Sequence, residues 1–121
     1  MANHVYPLRI GHSYEYPTFI KRSFMYLPHF IENLYRYILN ITEMPSILHL
    51  SGSDTVSWYE FMKNLADVYR IDNQLVIRRK SDSSEFAPRP YNGGLNINLS
   101  KKLGFPQHSY LEGLEAMREL F

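Results

Sequence analysis

The run Ile47-Leu-His-Leu-Ser-Gly-Ser-Asp-Thr-Val-Ser-Trp-Tyr-Glu-Phe61 constrains the fold more than any other stretch of the chain. A short apolar segment, Ile47 to Leu50, reads as a buried strand that breaks at Gly52. A helix then starts behind a well-formed cap. Ser57 and Glu60 stand in S-x-x-E spacing, so the hydroxyl can accept from one unpaired amide while the carboxylate returns to the N–H of Ser57. Val56 and Phe61 occupy the two positions of a hydrophobic staple. Trp58, Phe61, Met62, Leu65 and Val68/Tyr69 recur at helical spacing, predicting a helix from about 58 to 69 with that face inward.

The same periodicities divide the rest of the chain. His4 to His12 reads as a strand carrying Val5, Leu8 and Ile10, with Pro7 confining it to an edge. Tyr14 to Ser23 reads as loop, punctuated by Pro17. From Pro28 the pattern is helical, and Leu27, Phe30, Ile31, Leu34, Ile38 and Ile41 form one stripe expected to be buried. Gln74 to Arg79 predicts a second short strand, and Ser81 to Gly94 a loop. Ser100 to Gly104 predicts one helical turn stopped by glycine. Ser109 and Glu112 repeat the capping box before a helix with Leu111, Leu114, Met117 and Phe121 on one face. Alternating strands and helices favour an α/β architecture with short parallel strands and three main helices, in a single domain over residues 1–121.

Composition removes several functional classes. The chain has no cysteine, so disulfides, zinc–thiolate sites and thiol catalysis are excluded. The five histidines lack ligand spacing, and no metal site is expected. A net charge of +1 gives no global pull toward nucleic acid or an anionic membrane. The ten tyrosines and seven phenylalanines are scattered rather than arrayed as a stacking platform, so nucleic-acid binding is not expected. No apolar run reaches membrane-spanning length and the N-terminus carries no signal-peptide pattern, so a cytoplasmic location is expected. So many rings in 121 residues suggest either a Tyr-rich rim around the core or a surface that something else covers.

Four blocks carry a family resemblance. Val5-Tyr-Pro-Leu-Arg-Ile-Gly-His-Ser-Tyr14 resembles a strand that follows the catalytic helix, and Met25-Tyr-Leu-Pro-His-Phe-Ile-Glu-Asn-Leu34 the stretch that precedes the strand and capped helix. The Ile47–Phe61 run and Ala87-Pro-Arg-Pro-Tyr-Asn-Gly-Gly-Leu-Asn-Ile-Asn-Leu-Ser-Lys-Lys-Leu-Gly104 complete the set. Their order and wording resemble the C-terminal, substrate-side part of dTDP-4-dehydrorhamnose reductases, which are extended short-chain dehydrogenases. Pro17-Thr18 offers a second alignment, to a Pro-Thr pair of that family. The resemblance implies an enzyme that uses NADPH to reduce the 4-keto group of a nucleotide-activated sugar. The Gly-rich dinucleotide turn is absent: no G-x-G-x-x-G occurs among the six glycines. The chain is therefore expected to bind cofactor poorly and to catalyse nothing alone, with no catalytic residue of its own. Its expected partners are a nucleotide sugar and either a dinucleotide-binding chain or another copy of itself. A non-catalytic regulatory or interaction module derived from the family is the alternative.

Specific residues follow from the resemblance. Arg89, with Arg22 and Ser23, is the candidate substrate-binding set, because a planar guanidinium suits a pyrophosphate. Arg9 and His12, read as the end of the first strand, are the candidate cofactor contacts. Tyr59 and Lys63 fit the Y-x-x-x-K pair of the superfamily. They are set aside as an exposed structural face, since ten Tyr and five Lys in 121 positions produce such a match about 0.4 times by chance.

Overall fold

The computed structural model describes residues 8–79 and 91–118. Five short strands and four helices occur among them. Strands β1 (Tyr14–Pro17), β2 (Lys21–Ser23), β3 (Thr55–Ser57), β4 (Val76–Arg79) and β5 (Asn92–Gly93) form two small sheets. With helices α1 (Leu27–Leu39), α2 (Trp58–Val68), α3 (Asn98–Lys102) and α4 (Tyr110–Met117) they follow in the chain order β1-β2-α1-β3-α2-β4-β5-α3-α4. β1 runs parallel to β4, with Tyr14 opposite Val76 and Pro17 opposite Arg79. In the second sheet β2 is central, antiparallel to β3 and parallel to β5. The expected α/β class with short parallel strands is what forms; α1, α2 and α4 are the main helices and α3 is a single turn.

The core is built around α2. Phe61, Met62, Leu65, Ala66 and Tyr69 are buried together with Leu8, Tyr16, Val76, Tyr110 and Leu114. The predicted cap is present: the amide of Glu60 donates to Ser57 Oγ at 3.1 Å. Trp58 and Val68 are half-buried at the margin of this cluster. The reciprocal box expected at Ser109 and Glu112 forms as well. There α4 buries Tyr110, Gly113 and Leu114 but leaves Leu111 exposed, and Phe121 falls outside the described residues.

Four local expectations are corrected. Residues 4–7 of the first predicted strand lie outside the described part, and Leu8 and Arg9 are helical. The amide of Gly11 closes this turn on the Leu8 carbonyl at 3.1 Å, with Gly11 at φ +89°. Val5 and Leu8 are three apart, a helical rather than an alternating spacing. Second, the predicted loop from Tyr14 to Ser23 contains two strands. Pro17 is compatible because it ends its strand, and β1 pairs on one side only. Third, Ile47–Leu50 forms no ladder with any described residue, and Ile47 is 74% exposed.

The fourth correction concerns α1. Its apolar stripe is on the outside: Leu27 is 64% exposed, Ile31 54%, Leu34 38% and Ile38 54%. Ile41, just beyond the helix, is exposed too, and Phe30 is half-buried. The helix rests instead on the flank carrying His29, Asn33 and Tyr37, roughly a third of a turn away. Asn33, buried to 2%, donates to the Pro106 carbonyl at 3.2 Å, and the Tyr37 hydroxyl donates to the Pro45 carbonyl at 2.8 Å. The His29 ring stacks on His108 with centroids 3.8 Å apart.

Candidate functional site

Two of the candidate substrate-binding residues, Arg22 and Ser23, sit on the middle strand of the three-stranded sheet. Arg22 faces Val56 of β3 and Gly93 of β5 in register. Its Nη1 donates to the Lys21 carbonyl at 2.7 Å. The side chain lies across Gly93: a Cβ there would fall 2.6 Å from Nη1 and 2.9 Å from Cζ. Gly93 is thus small because a guanidinium occupies the space a side chain would need. Gly94 is pressed in the same way against the Thr55 side chain.

Ser23 locks this platform. Its Oγ accepts the Leu95 amide at 3.1 Å and lies 3.2 Å from Thr55 Oγ1. The Lys21 amide donates to the Tyr91 carbonyl at 2.6 Å, and the Tyr91 ring meets Phe19 edge-on at 5.9 Å. The sheet therefore gathers Lys21, Arg22, Ser23 and Thr55 against the Tyr91–Leu95 segment. Arg89, the third candidate, lies outside the described residues.

Arg9 and His12 are placed by other elements. The Arg9 guanidinium lies 6.0 Å from the Tyr69 ring centroid, in a cleft lined by Leu8, Gly11, Tyr69, Arg70, Asp72 and Leu75. His12 is exposed between Gly11 and β1. They do not stand at a strand end, because the strand begins only at Tyr14.

Tyr59 and Lys63 are half-buried rather than fully exposed. The Tyr59 ring lies between two cations, with Arg78 at 5.0 Å and Lys63 at 5.6 Å from its centroid. A hydrogen bond from Arg78 and the nearby Lys63 hold the Tyr59 phenol below its ordinary range, against a smaller opposing effect of burial. The contact between Tyr59 and Arg78 ties α2 to β4.

Sequence reasoning missed a histidine cluster. His108 Nδ1 is 3.0 Å from Glu112 Oε2, and Nε2 is 3.9 Å from Glu32 Oε2. Burial, then the adjacent His108, pushes the His29 imidazole below its ordinary pKa, while Glu112 and Glu32 pull the other way. His29 and His108 are far apart in sequence, so no spacing signals the stack. No group of His, Cys, Asp and Glu able to hold a metal occurs among the described residues.

No glycine-rich phosphate turn exists in the sequence, and the positive-φ glycines, Gly11 and Gly104, follow helical turns. No described helix is long and apolar enough to cross a membrane.

No family model and no curated protein matches the chain. Solved structures do. The dTDP-4-dehydrorhamnose reductase of Yersinia enterocolitica superposes over 98% of this chain with a TM-score of 0.77 at 17% identity. The Bacillus anthracis dTDP-4-dehydrorhamnose reductase, solved in complex with NADP, superposes over 94% with a TM-score of 0.66 at 22% identity. This chain spans only 42% and 40% of those two reductases. The resemblance read from the motifs is thus present in three dimensions, and the chain has the fold of about two fifths of a dTDP-4-dehydrorhamnose reductase.

Proposed function

We propose that the chain is the substrate-binding portion of an NADPH-dependent sugar-nucleotide reductase of the dTDP-4-dehydrorhamnose reductase kind, working in the cytoplasm. The observation that carries this reading is the superposition of nearly the whole chain on part of such enzymes. The Arg22 platform supports it. A guanidinium seated on Gly93, beside Lys21, supplies cationic and planar recognition for a nucleoside diphosphate. Arg89 belongs to the same set, four residues before Gly93 in the chain. Arg9 and His12 are assigned contacts with a cofactor carried outside these residues.

Nothing in this chain performs the reduction. NADPH would supply the hydride, and its phosphate-binding turn has to come from elsewhere. This chain's residues hold the substrate's phosphates and orient the sugar.

Titrating dTDP and NADPH separately into the isotope-labelled chain tests the reading. Amide shifts at Lys21–Ser23 and Tyr91–Leu95 are expected with dTDP and not with NADPH, and Arg22→Ala should abolish them. Silence toward dTDP at these positions would overturn the assignment.

A further inference from the structure

We propose that the stacked His29 and His108 rings are a pH-operated latch between α1 and α4. It fastens the first turn of α1 while the pair carries at most one charge, and releases α1 when both rings are charged. The joint is small and well defined. The two rings lie 13° from parallel with centroids 3.8 Å apart. His29 belongs to the first turn of α1, and His108 immediately precedes Ser109, the N-cap of α4. Tyr26, the N-cap of α1, meets His29 edge-on at 5.1 Å. It is also pressed against α4, since a Cβ at Gly113 would fall 2.7 Å from the Tyr26 Cβ. One turn further along α1, Asn33 donates to the Pro106 carbonyl. No described helix or strand packs extensively along α1, and its apolar stripe is exposed, so this joint supplies much of its attachment. A helix held by few contacts is the part of a fold that opens locally.

The charges around the pair decide when the latch opens. Glu32 of α1, Glu112 of α4 and the Tyr26 phenol are the titratable groups that face it among the described residues. A proton on His108 is accommodated, because the imidazolium would lie between two carboxylates: Nδ1 is 3.0 Å from Glu112 Oε2 and Nε2 is 3.9 Å from Glu32 Oε2. The hydrogen bond from His108 holds the Glu112 carboxyl below its ordinary range, so it stays ionised in mild acid. His29 has no such cradle. Its Nδ1 is buried without a hydrogen-bond partner. In the neutral ring that nitrogen can remain a bare lone pair, but in the charged ring it must carry a buried N–H that nothing accepts. The second charge would also stand face to face with the His108 ring. Burial, and then His108, already hold the His29 imidazole below its ordinary pKa, with Glu112 and Glu32 opposing. A ring held low in the closed state takes its proton more readily once released. The latch is therefore fastened above about pH 6.5, the value of a free imidazole, and is progressively released as the pH falls below it.

The test is amide hydrogen exchange of the full chain at about pH 7.5 and about pH 5, corrected for the pH dependence of exchange itself. Protection at residues 33–39 of α1 should fall at least tenfold at the lower pH, while residues 61–66 of α2 keep theirs. His29→Phe leaves a flat ring on His108 that takes no proton, so its α1 should stay protected at the lower pH. Glu32→Gln should do the opposite. It removes a carboxylate that offsets the charge of the pair, so α1 should open at a higher pH than in the wild type; Glu32 is exposed, and folding is not at stake. Equal protection of α1 at both pH values, or loss of α1 and α2 together, overturns the proposal. So does a Glu32→Gln chain whose α1 opens at the wild-type pH or below it.

Discussion

Replacing Gly52 by alanine should be far more damaging than its loop position suggests. A Cβ at Gly52 would collide with the Phe24 carbonyl oxygen and come within 3.0 Å of the carbonyl carbon and 3.6 Å of the His108 oxygen. These are backbone atoms, which cannot swing aside as a side chain can. The Ser53 amide also donates to the His108 carbonyl here, at 2.9 Å. Next to it, the Phe24 ring stacks on Phe61 at 4.1 Å and meets Trp58 edge-on at 4.9 Å. Overpacking against a fixed neighbour costs about 1–3 kcal/mol, and one weakened hydrogen bond about 1 kcal/mol more. The expected loss is about 2–4 kcal/mol, a large share of a typical domain's stability. For a domain of this size that lowers the melting temperature by roughly 8–16 °C.

Thermal unfolding followed by circular dichroism measures it, and Gly104 provides the contrast. Gly104 has φ +85° with open space around its missing Cβ, so its constraint is conformational. Gly104→Asn should therefore recover much of what Gly104→Ala loses, since asparagine enters the left-handed region more readily. Gly52→Asn should be worse than Gly52→Ala. A Gly52→Ala protein melting within about 2 °C of wild type would refute the steric argument.

Other outcomes follow from the same contacts. Leu65→Ala, at a fully buried core position, should cost about 2–5 kcal/mol in urea unfolding, against about 1 kcal/mol for removing the helix cap with Ser57→Ala. Gly93→Val should displace the Arg22 guanidinium and abolish dTDP-induced shifts at Lys21–Ser23 while the core signals of α2 persist. Stability should also depend on His29. Its folded-state pKa is below the unfolded value near 6.5, so the unfolded chain takes up this proton first as the pH falls. Stability is therefore full above that value and declines as pH drops below it toward the folded pKa. The urea midpoint should fall between pH 7 and 5.5, and His29→Gln should flatten that part of the profile.

What the sequence made legible was mostly local. The cap at Ser57 and the box at Ser109 depend on residues three apart, and both form. The inward face of α2 followed from periodicity because that helix is surrounded by its own chain. Periodicity identified the apolar face of α1 equally well but says nothing of what covers it. Here His29, Asn33 and Tyr37 hold the helix from the side. The Ile47–Leu50 segment, which forms no ladder with any described residue, was misread for a related reason, since a strand is defined by its neighbour.

The site was legible in its residues and not in its assembly. Arg22 and Ser23 stood out as a small polar cluster, yet nothing near them indicated that Gly93 and Leu95 would be their neighbours. The adjacent glycines were the available signal, because two small residues beside a strand permit a large side chain to lie flat. Arg9 and His12 were assigned to a strand end, but Arg9 is helical and His12 lies between Gly11 and β1, so their geometry differs from the one first expected.

The most direct test of the central claim is the absorbance of NADPH on mixing this chain, a separately expressed dinucleotide-binding half and a dTDP-activated 4-keto sugar. The account predicts oxidation of NADPH only when all three are present, and its loss with Arg22→Ala. Turnover at the same rate without this chain, or none with every component present, would contradict it.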